Sequence, residues 1–300
     1  MINKEELGLR IRQEREKQGL SREALCGDEA ELTVRQLLRI ETGKSLPKLE
    51  KLEFLSRVLG ADISTFLGEE KLDIPAEYFD LKYKLFKSST YGDLERLEQK
   101  RQLLEQIYES YYHLLPEEEL FSLDILERIW DFIESRGVLS SDTPDILYED
   151  YQKQLLLRKI YDLNDLLLLS YHFMCRQNKE YELENFTKLE ENLLIQTSNG
   201  DEFYNRELLN CLSLLIGAHV ARGNMENILK ITEKMEGLVE LTAQHTYYPL
   251  ILTSKAKYYR YYENNLQRAK ELYSEALVMA KVFGDQVFLN HLESEMRKDL

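Results

Sequence analysis

Glycine and proline are scarce in this chain of 300 residues, at 13 Gly and 5 Pro, where average usage would give about 20 and about 15. Sandwiches and barrels need many tight turns, and those turns draw on these two residues, so a β architecture is excluded. Cysteine is scarcer still. Cys26, Cys175 and Cys211 are odd in number, widely spaced and without a C-x-x-C pair, which leaves neither a disulfide framework nor a zinc site and suggests buried thiols. Long apolar runs are missing too: residues 166–169 and 209–220 are the longest, short of the roughly 20 that cross a bilayer. The opening MINKEELGLR has no apolar signal core, so the expectation is a cytoplasmic protein with no membrane partner.

Signatures of catalysis are absent as well. The sequence has no G-x-G-x-x-G, G-x-x-x-x-G-K-[ST], H-E-x-x-H or G-x-S-x-G, and His113, His172, His219, His245 and His291 lack ligand spacing. Paired carboxylates carry no information among 54 acidic residues. No enzyme activity, cofactor or metal is expected. What the chain has in quantity is leucine, 55 residues, within a composition 43% hydrophobic and 31% charged. Such a composition predicts an all-α fold, and the length suits about two domains.

Residues 1–68 read as five short helices. Apolar positions recur at helical spacing in Leu7 and Ile11 and again in Leu49, Leu52, Leu55 and Leu59. Gly19, Gly43 and Gly60 stand at helix ends, Ser21 and Thr33 at N-caps, and Pro47 at the first turn of the fourth helix. Residues 69–75 break the pattern and are expected to be a linker. From residue 76 to 300, long amphipathic stretches alternate with short polar breaks at 88–90, 135–144, 178–180, 197–201, 222–224, 264–265 and 284–285, the punctuation of stacked helical hairpins. Ala269, Tyr273, Ala276 and Ala280 share one face, after a helix carrying Ala256 and Tyr259. This resembles a tetratricopeptide repeat, whose small residues let paired helices approach closely. A degenerate second unit surrounds Arg222-Gly-Asn-Met-Glu-Asn227. A helical solenoid accounts best for the whole segment, and a non-repeating helical bundle is the other architecture left open.

The stretch SREALCGDEAELTVRQLLRIETG, residues 21–43, reads as helix, turn and helix. It resembles the helix-turn-helix of phage repressors at Ser21, Glu23, Leu25, Leu32, Leu37, Ile40, Glu41 and Gly43, with one extra residue in its acidic turn. The resemblance implies that the helix after Thr33 enters the DNA major groove. Arg35 and Arg39 lie one turn apart, away from Leu37 and Ile40, with Gln36 beside them. Arg can bridge guanine O6 and N7, and Gln can pair with adenine, so these types suit base reading. Lys44, Lys48 and Lys51, with Ser21 or Arg22, are the candidates for phosphate contacts.

Charge is divided unevenly along the chain. Residues 1–70 hold 12 Lys and Arg against 14 Asp and Glu, residues 71–300 hold 27 against 40, and residues 33–57 reverse the balance at six against three. A small positive face on an acidic body, within a net charge of −15, predicts weak DNA binding by a monomer. A dimer that sets two reading helices about 34 Å apart would double the contacts.

With a helix-turn-helix followed by a degenerate tetratricopeptide-like solenoid, the chain is similar to the Rgg-like peptide-pheromone receptors of Gram-positive bacteria. ELTVRQLLRIETGKSLPKLEKL, IPAEYFDLKYKL, SSTYGD and LLPEEELFSLDILE point to the branch that regulates streptococcal competence. The resemblance implies a transcription activator: a short hydrophobic peptide enters the solenoid, and the receptor, a monomer without peptide, becomes a homodimer on double-stranded promoter DNA. A related receptor for another peptide, one that represses, or a scaffold without DNA binding are the alternatives.

A buried peptide carboxylate must be paired with a cation, and Lys100 and Arg101 are the candidates for it, with Thr90 in the same set. Asn210 resembles asparagines that bond peptide backbone in related receptors, although a solvated helix face would accommodate it equally. Tyr247, Ile251 and Ser254, at i, i+4 and i+7, would line the same groove. Finally, the basic face around Arg35 could dock on Glu117-Glu118-Glu119 in the absence of peptide. The same acids also suit the first turn of a helix after Pro116, where the dipole favours them.

Overall fold

In the computed structural model, residues 3–68, 74–87, 89–135, 146–175 and 183–300 are described, and every regular element among them is a helix. Residues 69–73 of the expected linker 69–75, residue 88 of the break 88–90, residues 136–144 of the break 135–144 and the whole break 178–180 lie outside these residues. Five helices open the chain: α1 (Lys4–Lys17), α2 (Arg22–Cys26), α3 (Val34–Glu41), α4 (Leu49–Leu59) and α5 (Ile63–Leu67). Asn3, Ser21, Thr33 and Asp62 cap four of them by accepting backbone N–H groups, and Gly60 closes α4 in the left-handed region at φ 58°. Pro47 is the exception. It precedes the N-cap Lys48 instead of opening α4, because the chain stays extended there to meet a later helix.

The apolar face of each short helix enters one core, with Leu7, Ile11, Leu25, Leu37, Leu52 and Phe66 among its members. Here α1 crosses α3 so closely that a Cβ on Gly8 would stand 2.1 Å from the Ile40 carbonyl oxygen. Beneath the crossing, Arg15 holds the buried Glu41 through two bonds (2.6 and 3.0 Å), and Arg22 adds a third (2.7 Å).

The remaining helices are α6 (Ala76–Lys87), α7 (Leu94–Tyr111), α8 (Glu117–Glu134), α9 (Ile146–Leu157), α10 (Leu163–Cys175), α11 (Leu183–Ile195), α12 (Glu202–Ala221), α13 (Ile228–Thr242), α14 (Tyr248–Tyr261), α15 (Leu266–Phe283) and α16 (Gln286–Asp299). Packing divides the chain into two compact units. The first comprises Met1–Ser88, Glu98–Trp130 and Ser140–Lys159, and the second Ser89–Leu97, Asp131–Leu139 and Ile160–Leu300. In the second unit α12 packs on α10 and α13, α14 on α13 and α15, and α16 on α15. Ala256, Ala269, Tyr273, Ala276 and Ala280 are all fully buried, so the small-residue face sits between α14 and α15 as a tetratricopeptide unit requires. Asp299 near the end of α16 accepts from Lys257 (2.7 Å), Tyr261 (2.7 Å) and Tyr273, which ties α16 back to that pair. Among the described residues no helix is long and apolar enough to cross a membrane.

Gly8→Ala should be the most damaging methyl addition in the first five helices. The clash is with backbone, which cannot swing aside, so a stability loss of about 3 kcal/mol is expected in urea denaturation followed by circular dichroism.

Candidate nucleic-acid interface and its acidic cover

The N-terminus of α3 is fixed by reciprocal bonds. Thr33 Oγ1 accepts from the Gln36 N–H (3.1 Å), and Gln36 Oε1 accepts from the Thr33 N–H (3.0 Å), a capping box that sets the direction of the helix. Leu37 and Ile40 anchor its inner face. Arg35 and Arg39 therefore emerge one turn apart on the outer face, as their spacing predicts.

Neither arginine is idle. Arg39 donates Nε and Nη2 to the two oxygens of Glu117 (both 2.9 Å) and Nη1 to Asp150 (3.1 Å). Burial alone would lower the pKa of this guanidinium, but the bonds to Glu117 and Asp150 outweigh it and hold the pKa raised. Asp150 is shifted up, because its own burial exceeds its share of Arg39. Arg35 reaches a different partner, Glu149 on α9, at 2.7 Å with both side chains more than half exposed (54% and 51%).

The acids after Pro116 take the remaining basic face. Glu118 pairs with Lys51 (2.6 Å), and Glu119 with Lys48 (2.8 Å) and with Lys82 of α6 (2.6 Å); Tyr78 donates to Glu119 as well. Burial pushes the Glu119 carboxyl up, and the two ammonium groups outweigh it and bring it down to about 2. The Glu117 N–H donates to the Leu46 carbonyl (2.9 Å), so the start of α8 is both a dipole-favoured acidic turn and a docking edge. Lys51 also stands 5.5 Å over the Tyr151 ring, which stacks on Phe121 at 3.7 Å.

Several expected roles are corrected by this geometry. Arg35 does not meet Glu117 to Glu119; the shorter reach to α9 claims it, and Arg39, Lys48 and Lys51 take the acids instead. Gln36 is not presented for base reading, since its amide closes the cap and, fully buried, exchanges bonds with Gln154 (3.3 and 3.1 Å). Thr33 and Lys51 are buried too. Ser21 caps α2 through the Ala24 N–H (3.1 Å), and Arg22 is engaged by Glu41. Lys44 is exposed. The acidic turn with its extra residue also finds partners on α9 and just after it: Lys153 pairs with Glu29 (2.8 Å), and Arg158 donates to the Ala30 carbonyl (2.8 Å). Sequence reasoning missed Asp150, Gln154, Lys153, Arg158 and Lys82. Their positions in α9, just after it and in α6 carry no mark of a partner more than 30 residues away.

The expected peptide residues fall in both units. In the first, Lys100 is buried and its ammonium donates to the Leu85 carbonyl, with Arg101 half-buried beside it in sequence. In the second, Thr90 is buried on a segment where Arg96 grips Asp285 (2.9 and 3.0 Å) and Tyr91 stacks on Phe288. Tyr247 ends a short 3-10 turn instead of lying in α14, and it donates to the Arg206 carbonyl (3.1 Å). Ile251 and Ser254 are buried, the latter back-bonded to Leu250, so they face packed helix and not an open groove. Asn210 is half-buried and donates to Glu207 (3.0 Å), which also accepts from Ser170 (2.5 Å).

These features define a class: a helix-turn-helix regulator whose reading helix is engaged by acids of its own chain, followed by a tetratricopeptide-type helical domain. The family models agree, one described as a helix-turn-helix domain over residues 6–65 and one as ComR tetratricopeptide over 75–296. The chain belongs to the ComR family. It is similar to the apo form of the competence regulator ComR from Streptococcus vestibularis, at 36% identity over 99% of this chain and 98% of that one, with a TM-score of 0.84. The same regulator in complex with its cognate signaling peptide XIP gives 36% identity, 99% coverage of both chains and a TM-score of 0.70. ComR from S. thermophilus in complex with DNA and its signalling peptide ComS gives 35%, 98% and 99% coverage, and 0.71. Among curated proteins no match is found.

Glu207 supplies a pH test of the second unit. It is buried on α12 near Cys211, Tyr247 and the charge of Arg206, and burial pushes its carboxyl up to about 7, with Ser170 and Asn210 limiting the rise. A raised carboxyl pKa means that the fold favours the neutral form. That stability is complete below the usual carboxylate range near 4.5 and is lost as pH rises through about 7. The stability difference between the wild type and Glu207→Gln should therefore move against the wild type by about 3 kcal/mol from pH 4 to pH 8 in urea titrations.

Proposed function

We propose that this chain is a cytoplasmic transcription activator of competence genes, held off DNA by its own acidic helices until a short hydrophobic peptide binds. One observation carries the reading. Arg39, the half-buried member of the reading pair, is clamped by Glu117 and Asp150 in a structure that resembles an apo ComR (TM-score 0.84) more than the DNA-bound and peptide-bound ones (0.71 and 0.70). A cation that serves two carboxylates cannot at the same time bridge a guanine edge.

Released, the first 68 residues present Arg35 and Arg39 to the major groove, while Lys44, Lys48, Lys51 and Ser21 or Arg22 hold phosphates. Gln36 keeps its capping role, so base reading rests on the two arginines. Residues 76–300 form the peptide-binding and dimerisation part. Peptide contacts there involve Asn210 and Tyr247 of the second unit. Peptide acts through its higher affinity for the released dimer, and two reading helices then double a weak contact made by an acidic monomer.

Energetics single out which acids to change. A half-buried pair with two hydrogen bonds loses most when one partner is neutralised, because the remaining charge stays desolvated, whereas an exposed pair contributes little. Glu119 is unsuitable, since it also serves Lys82 and Tyr78. Glu117→Gln should raise promoter-DNA affinity without peptide by about tenfold, and Glu149→Gln should leave it within about twofold, both read by fluorescence anisotropy. Equal apo affinity in wild type and Glu117→Gln would sink the masking. Arg35→Ala should abolish sequence-specific binding with and without peptide, and retained specificity would return the chain to the scaffold alternative.

A further inference from the structure

Beside the Arg39–Glu117 pair lies a cavity of about 740 Å³ within the first unit, in the size range of sites that hold small organic molecules. Its charges do not balance. The two carboxylates on its wall are taken, Glu117 by Arg39 and Asp124 by Arg128 (2.9 Å). The two lysines on its wall, Lys4 and Lys44, have no ion pair among the described residues. Ser45, also in the lining, is buried with a hydroxyl that has no hydrogen-bond partner in the structure. Idle ammonium groups and an orphaned hydroxyl suit an anion with acceptor oxygens.

The rest of the wall is leucine and tyrosine. Leu46 and Leu115 are buried at 5% and 0% exposure, and Tyr108 meets Tyr112 edge to face at 6.1 Å. A compact aromatic body would cover this surface and remove it from water. We propose that the cavity is a binding site for a small amphipathic anion, an aromatic carboxylate or sulfonate with its charged head at Lys4, Lys44 and Ser45 and its ring against Leu115, Leu120 and the tyrosines. Such a ligand touches the first five helices through Lys4 and Lys44 and the start of α8 through Leu115 and Leu120. It therefore binds the docked arrangement, keeps Lys44 from a phosphate, and opposes DNA binding by linkage. This second consequence rests on the masking reading; the site itself does not.

The probe is 1-anilinonaphthalene-8-sulfonate, with the uncharged N-phenyl-1-naphthylamine as its partner. Fluorescence titration of the full chain should give a component that Leu120→Trp abolishes by filling the cavity, that Lys4→Gln weakens about fivefold, and that the uncharged probe lacks. Sulfonate binding unchanged in both variants overturns the site. Promoter-DNA affinity should fall as the variant-sensitive component saturates in the wild type and hold steady in Leu120→Trp. Variant-sensitive binding with undisturbed DNA affinity overturns the coupling, and failure of Glu117→Gln to release DNA binding, with probe binding intact, locates the fault in the masking.

Discussion

Arg39 is the constraint around which the first unit is arranged. A guanidinium that is more than three-quarters covered needs its donors matched, and Glu117 and Asp150, from α8 and α9, supply the acceptors. To bring them there, α8 must start where Pro116 places it, its first N–H on the Leu46 carbonyl, and α9 must run past α3 so that Gln154 meets Gln36. Lys48 and Lys51 then fall opposite Glu119 and Glu118. One desolvated cation thus fixes the register of two helices against a third.

Under the proposed masking, the same geometry would make DNA binding by a protein of net charge −15 conditional. Buried ion pairs add little net stability, because desolvation offsets attraction, so a face closed by them can be opened at modest cost provided every charge finds a new partner. In the proposed function, phosphates are such partners for Lys48 and Lys51, and base edges for Arg35 and Arg39. The acids left behind return to water or, like Glu119, keep Lys82 and Tyr78. A face closed by leucines would have been harder to reopen and could not have carried the reading side chains themselves.

Much of this architecture is legible in the sequence. The five short helices announce themselves through Ser21, Thr33 and Gly60, the reading helix through its Thr33 cap and the outward Arg35 and Arg39, and the last helical pair through Ala269, Tyr273, Ala276 and Ala280. Local rules govern these features: caps, 3.6-residue periodicity and the size of a side chain at a helix crossing. Errors arise where a residue has two local options or a distant partner. Pro47 suits a first turn yet precedes the cap, Gln36 suits adenine yet closes its own helix, and Ile251 suits a groove yet fills a core.

Composition and periodicity by themselves determined an all-helical chain and the basic face within an acidic whole, because each is a property of neighbouring residues, while the helix-turn-helix was legible as a resemblance to the phage-repressor type. Tertiary structure alone decided that Glu149, Asp150 and Gln154 join Glu117, Glu118 and Glu119 against that face. Glu149, Asp150 and Gln154 lie more than a hundred residues from their partners on α3, and nothing in a chain with 54 carboxylates distinguishes those few. Selection among equivalent charges is made by desolvation and distance, and both exist only once the helices are packed.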